Sequence, residues 1–79
     1  MTAGPMTLLP NSPDVTEESA ALLKRLRTDA GLTQAELADA TGVPESVVRR
    51  AEAGAYPRPG WRLRLASFFK LKPSDIWPP

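Results

Sequence analysis

The residues of this chain with the most evident binding chemistry are two adjacent arginines, Arg49 and Arg50. They follow Glu45 and Ser46 by four residues in the segment PESVVRRAE. This spacing places all four side chains on one face of a helix. A guanidinium presents five donors in a rigid fork that suits phosphate oxygens or the edge of a guanine. The pattern predicts a helix with a polar outer face that binds an anionic partner.

The composition argues against catalysis. The 79 residues include no His and no Cys, and the sequence has no Gly-rich phosphate loop and no metal-ligand spacing. The carboxylates have evident capping or pairing roles. We therefore expect no enzyme activity, no cofactor and no metal. With no signal-peptide pattern and no apolar run near the ~20 residues of a membrane helix, a cytoplasmic protein without a membrane partner is expected.

Charge is distributed unevenly. Residues 1–21 carry three acids and no base, whereas residues 22–79 carry all ten Lys and Arg against six acids, which gives +4. A basic body of this size permits a nucleic-acid partner without demanding one. Residues 1–15, with three prolines and no periodicity, are predicted to be a flexible N-terminal arm, and residues 16–79 a single domain.

The arginines are positioned by two short helices around a tight turn. Thr33 and Glu36 form a capping-box pattern that predicts the start of the first of these helices. Gly42 ends it, and Pro44 suits the first position of the next. Two short helices joined in this way, with exposed arginines on the second, are typical of a helix-turn-helix DNA reader.

Three further helices complete an all-α domain of five short helices. The first is predicted to begin at Thr16 and end at Gly31, the fourth to cover about Trp61–Phe69, and the last turn to cover Pro73–Trp77. Lys70 lies where the chain leaves a helix and is expected in a left-handed conformation at a cost on the order of 1 kcal/mol. The predicted buried residues are Ala20, Leu23, Leu26, Ala30, Ala35, Leu37, Ala38, Val43, Val48, Ala51, Leu63, Leu65, Ala66 and Phe69.

The order and spacing of these motifs resemble the lambda-repressor-like, or XRE-type, helix-turn-helix family. The likeness runs from about Leu22 to Trp77. It rests on a set of short patterns: Leu32-Thr33-Gln34-x-x-Leu37-Ala38, Gly42-Val43, Glu52-x-Gly54, Pro59 and Leu65-Ala66.

The resemblance implies that the third helix lies in the major groove and that its N-terminal half meets base edges. The second helix would meet a phosphate at its N-terminus, through Gln34, and Arg58 would meet another. Glu45 can accept from a cytosine amine and an arginine can pair with guanine, so a G·C-containing half-site is the hypothesis. The implied DNA-contacting residues are Thr33, Gln34, Pro44, Glu45, Ser46, Arg49, Arg50 and Arg58.

Arg27 and Glu52 match the family's structural ion pair between the first and third helices, and we expect that role for them. Arg49 could reach a base, a phosphate or Glu45. Arg62 and Arg64 are expected on a solvated face, and Trp61 and Trp77 in packing or in a dimer interface.

The function predicted is that of a sequence-specific regulator that binds a palindromic operator in double-stranded DNA as a homodimer. A repressor or autoregulator of phage, mobile-element, restriction-modification or toxin–antitoxin type fits so small a chain. One alternative is a protein-interaction module whose partner is a toxin, a polymerase or a recombinase, bound by Trp61, the Ala55-Tyr56-Pro57 loop and the C-terminal Trp77-Pro78-Pro79. Another is an architectural excision factor that uses the same fold.

Overall fold

The computed structural model describes residues 12–78, with side chains from residue 17 onward. This part of the chain contains five helices and no strand, which confirms the predicted all-α architecture. The helices are α1 (Ser12–Asp29), α2 (Gln34–Thr41), α3 (Glu45–Glu52), α4 (Pro59–Phe68) and α5 (Pro73–Ile76).

Three predicted boundaries need correction. Helix α1 begins at Ser12 rather than at Thr16, so residues 12–15 are helical. The rest of the predicted arm, residues 1–11, lies outside the described residues. Pro44 precedes α3 as its N-cap instead of occupying the first helical position. Helix α4 starts at Pro59, two residues before the predicted Trp61, because a proline suits the first turn, where the amide needs no partner.

The turn between α2 and α3 depends on Gly42. This residue ends α2 in the left-handed region, at φ 73°, and its amide donates to the carbonyl of Ala38 at 2.9 Å. A Cβ at this position would lie 2.9 Å from Nη1 of Arg64, which reaches across the turn from α4. Lys70 also has a positive φ, 61°, as predicted for the end of α4.

Packing of α1 and α2 on α3, with α4 and α5 closing the other side, encloses one core. Leu23, Leu37, Val48 and Leu65 are completely buried in it. The other buried core residues are Ala38, Val43, Ala51, Ala66, Ile76 and Trp77. Burial of aliphatic side chains is the main stabilising contribution in a domain of this size.

Three residues predicted to be buried are exposed. Leu63 retains 55% of its surface, because two residues along a helix turn the side chain about 200° away from the buried Leu65. Ala35 is exposed for the same reason relative to Leu37, and Ala30 is exposed beyond the end of α1. Apolar composition therefore identified α4 as a packing helix but misplaced part of its buried face.

None of the helices described is long and apolar enough to cross a membrane. Within residues 12–78 there is also no group of three or more acidic, His or Cys side chains that could hold a metal ion.

Candidate nucleic-acid interface

Helix α3 has one buried face and one exposed polar face. Val48 and Ala51 are buried against the core, whereas Ser46 and Arg50 face solvent. Pro44, Glu45 and Arg49 are exposed as well. The predicted reading residues of α3 thus share one open face of a helix whose other face is fixed by packing.

The two arginines of α3 differ in whether their side chains have a partner within the protein. Nη1 of Arg49 lies 3.5 Å from Oε2 of Glu45, one turn earlier, and both side chains are about half exposed. An exposed pair of this kind is worth roughly 0.2–0.5 kcal/mol, so a nucleic acid can displace it. The Arg50 guanidinium makes no hydrogen bond or ion pair with any other described residue. Arg50 is exposed.

The N-terminus of α2 is built as the sequence predicts. The Glu36 amide donates to Oγ1 of Thr33 at 3.1 Å, and the Thr33 amide donates to Oε1 of Glu36 at 2.8 Å. This capping box satisfies two of the backbone donors at the helix start. The first-turn amides of Gln34 and Ala35 have no partner within the helix, so they remain able to meet an anion.

The Gln34 side chain has a partner inside the protein. Its Nε2 donates to Oε1 of Glu52 at 3.1 Å. A phosphate at this helix start can still accept from the Gln34 backbone amide, while the side chain connects α2 to the end of α3. The structure thereby gives the Gln34 side chain a contact that the sequence did not predict.

Glu52 also binds Arg27, across the junction of α3 and α1. Arg27 donates through Nε to Oε2 of Glu52 at 2.6 Å and through Nη2 to Oε1 at 3.0 Å. Its Nη1 donates to the carbonyl of Leu32 at 2.7 Å. The hydrogen bond with Glu52 raises the pKa of Arg27 above its ordinary value, which keeps the guanidinium charged. The side chains of Arg27 and Glu52 are nearly buried, at 11% and 4% exposure respectively. Their hydrogen bonds are made to other residues of the domain.

The loop after α3 carries the last predicted contact residue. Arg58 is the N-cap of α4 and is exposed, and its guanidinium has no partner among the described residues. Arg50 and Arg58 both line a cavity of about 200 Å³, together with Tyr56 and Trp61. The two free arginines of the predicted site therefore border the same concave surface, although they belong to different elements.

Two residues of this region, Arg62 and Tyr56, make contacts that the sequence did not predict. Arg62, expected on a solvated face, donates to the carbonyl of Pro57 and places its guanidinium carbon 4.4 Å from the Tyr56 ring centroid. The Tyr56 hydroxyl donates to the carbonyl of Pro78 at 3.1 Å. No local pattern connects residues 22 positions apart, so periodicity could not have found this contact.

The surface suggested for a protein partner is smaller than expected. Trp77 is 2% exposed and packs in the core, and Pro57 is buried. Trp61 is half-buried. Of that set, Tyr56 is the aromatic residue that is substantially exposed, at 48%.

Residues 18–76 match a family model described as a helix-turn-helix domain. The chain belongs to the helix-turn-helix domain family. No curated protein matches this chain. The search of solved structures also gave no match. The matched range includes α2, the Gly42 turn and α3. Membership in this family indicates a DNA-binding regulator.

Proposed function

We propose that this helix-turn-helix domain is a sequence-specific transcriptional regulator that binds double-stranded DNA through α3 in the major groove. The observation that carries the proposal is the burial of one face of α3 and the exposure of the other. The exposed face ends in an Arg50 guanidinium with no partner among the described residues. A rigid helix with free donors is what readout of base edges requires.

Two candidate phosphate-binding positions support the same proposal. They are the first-turn amides of α2, which precedes α3 in the chain, and Arg58, which follows α3. Ala53 and Ala55 in the same loop carry no charge. Because each phosphate contact contributes about 0.9 to the slope of log K against log salt, we expect a shallow salt dependence for each subunit.

We further propose that the protein acts as a homodimer on a palindromic operator. A single helix-turn-helix reads only a few base pairs, and two half-sites roughly 34 Å apart supply the remaining specificity. A homodimeric regulator of this kind fits a repressor or autoregulator of phage, mobile-element, restriction-modification or toxin–antitoxin type.

The test is selection of duplexes from a random pool by the purified chain at a stated salt concentration, with sedimentation to determine the oligomeric state. Recovery of an inverted repeat with G·C pairs in each half-site supports the proposal. Recovery of sequences without a shared motif contradicts sequence-specific reading and favours a protein-interaction module, for which the exposed Leu63 and Phe68 of α4 offer apolar surface.

A further inference from the structure

Tyr56 and Pro57 are the residues of the α3–α4 loop that side chains hold. At the start of the loop, the amides of Ala53, Gly54 and Ala55 donate to carbonyls of α3 at 2.9–3.2 Å. At its end, the Arg58 carbonyl accepts from the Arg62 amide at 3.0 Å as α4 begins. Pro57 has no amide to donate, and no comparable backbone bond is formed by the amide of Tyr56 within the described residues, so the two residues before Arg58 depend on side-chain contacts for their position.

Those contacts form a cluster of four residues, Tyr56, Pro57, Arg62 and Pro78, called here the Tyr56 cluster. Arg62 bonds the Pro57 carbonyl and covers the Tyr56 ring, and the Tyr56 hydroxyl bonds the Pro78 carbonyl at 3.1 Å. A cation over an aromatic ring is an attractive contact. The cluster thus fixes the loop to α4 and to the C-terminal segment at once.

The C-terminal segment is itself anchored. Trp77 precedes Pro78 directly and is 2% exposed, and Ile76 beside it is equally buried. The Trp77 amide donates to the carbonyl of Pro73 at 2.8 Å. Pro78 is exposed, but it directly follows the buried Trp77, so the Tyr56 hydroxyl is bonded to a segment that is anchored in the core.

The Tyr56 cluster lies beside the predicted DNA-contacting arginines. Tyr56 and Pro57 line the same cavity as Arg50 and Arg58, and Arg58 follows Pro57 directly. Ordering a loop before binding removes the entropic cost of ordering it on the DNA. Loss of the cluster should therefore weaken the Arg58 contact without touching the core.

We propose that Tyr56 and Arg62 are positioning residues for DNA binding, which hold Arg58 toward the phosphate backbone by fixing its loop to the C-terminal segment. This inference rests on the proposed function. It assigns to α4 and to Pro78 a part in binding that neither the motif nor the charge distribution indicates.

The experiment compares Tyr56→Phe with the wild-type chain and with Ser67→Ala, which removes an exposed hydroxyl from α4 outside the cluster. In the free proteins, amide hydrogen exchange and ¹⁵N relaxation of Ala55, residue 56 and Arg58 are measured by NMR. We expect Tyr56→Phe to increase the mobility of these residues and Ser67→Ala to leave it unchanged. Unchanged mobility in Tyr56→Phe overturns the proposal without any DNA measurement.

The second part measures affinity for the selected duplex over a range of salt concentrations. We expect Tyr56→Phe to weaken binding about threefold to tenfold, the size of one neutral hydrogen bond, and to reduce the salt slope toward that of Arg58→Ala. In the Arg58→Ala background the same substitution should have little further effect. Full additivity of the two substitutions shows that Tyr56 acts independently of Arg58 and overturns the proposal.

Arg62→Met provides a second variant, because it removes both the bond to Pro57 and the cation over the ring. It should reproduce the increased loop mobility and the lower salt slope. If the wild-type chain binds no duplex, the proposed function is contradicted, and with it the role of the Tyr56 cluster in DNA binding. The mobility data still decide whether the cluster orders the loop.

Discussion

Arg27 and Glu52 pair through two nitrogen–oxygen contacts of 2.6 and 3.0 Å although they lie 25 residues apart in the chain. The pair fixes the C-terminal end of α3 to α1. Because Gln34 also donates to Glu52, the start of α2 is joined to the same carboxylate. The Glu52 carboxylate thereby connects three helices, α1, α2 and α3.

We expect Arg27→Met to lower the free energy of unfolding by on the order of 3 kcal/mol, because it leaves the Glu52 carboxylate nearly buried without its cation. Urea denaturation measures the change. The matched control is Arg25→Met, which breaks the exposed pair between Arg25 and Asp29 and should cost less than about 1 kcal/mol. A stable Arg27→Met protein that no longer binds DNA would contradict the structural role and assign Arg27 to the interface.

The capping box gives a second, independent stability prediction. Thr33→Ala removes the acceptor of the Glu36 amide and should reduce the free energy of unfolding by about 1 kcal/mol. Thr33→Ser keeps a hydroxyl at the N-cap and should retain most of the stability. Thermal unfolding of the two variants measures the difference. Equal losses for both would show that the threonine methyl group, and not the hydrogen bond, stabilises the start of α2.

The turn of the motif can be tested by adding a single methyl group. Gly42→Ala forces a left-handed conformation on an alanine and should cost about 1–2 kcal/mol. Its new Cβ would also meet Arg64 Nη1 at 2.9 Å, but the end of a flexible side chain can move away cheaply. Gly31→Ala is the matched control, since its φ of 76° is the same within a few degrees and nothing lies near its Cβ.

Equal losses for Gly42→Ala and Gly31→Ala in urea denaturation are therefore the expected result. A much larger loss at Gly42 that Arg64→Ala reverses would show instead that Arg64 is held rigidly across the turn.

Local sequence patterns predicted the parts of this fold that local physics determines. A capping box spans four residues and a left-handed C-cap one, so Thr33, Glu36 and Gly42 were identifiable from neighbouring residues. The α4 face was partly wrong at Leu63, because apolar content does not specify which side of a helix is covered. The contacts of Gln34 with Glu52 and of Tyr56 with Pro78 depend on how α2, α3 and the C-terminal segment come together, and no periodicity in the chain contains that information.

Arg50 and Arg58 are expected to have different roles in DNA binding. Arg50 reads base edges, and Arg58 binds a phosphate. We expect Arg50→Ala to weaken binding to the selected operator by about 1–3 kcal/mol and to relax the preference at one base pair. Arg58→Ala should weaken binding to the operator and to random duplex by the same factor and lower the salt slope by about 0.9 per subunit. Titrations of both duplexes at several salt concentrations distinguish these outcomes. Arg50 and Arg58 border one cavity. Equal weakening of binding to the operator and to random duplex by Arg50→Ala would contradict the assignment of Arg50 to base reading and identify it as a phosphate contact.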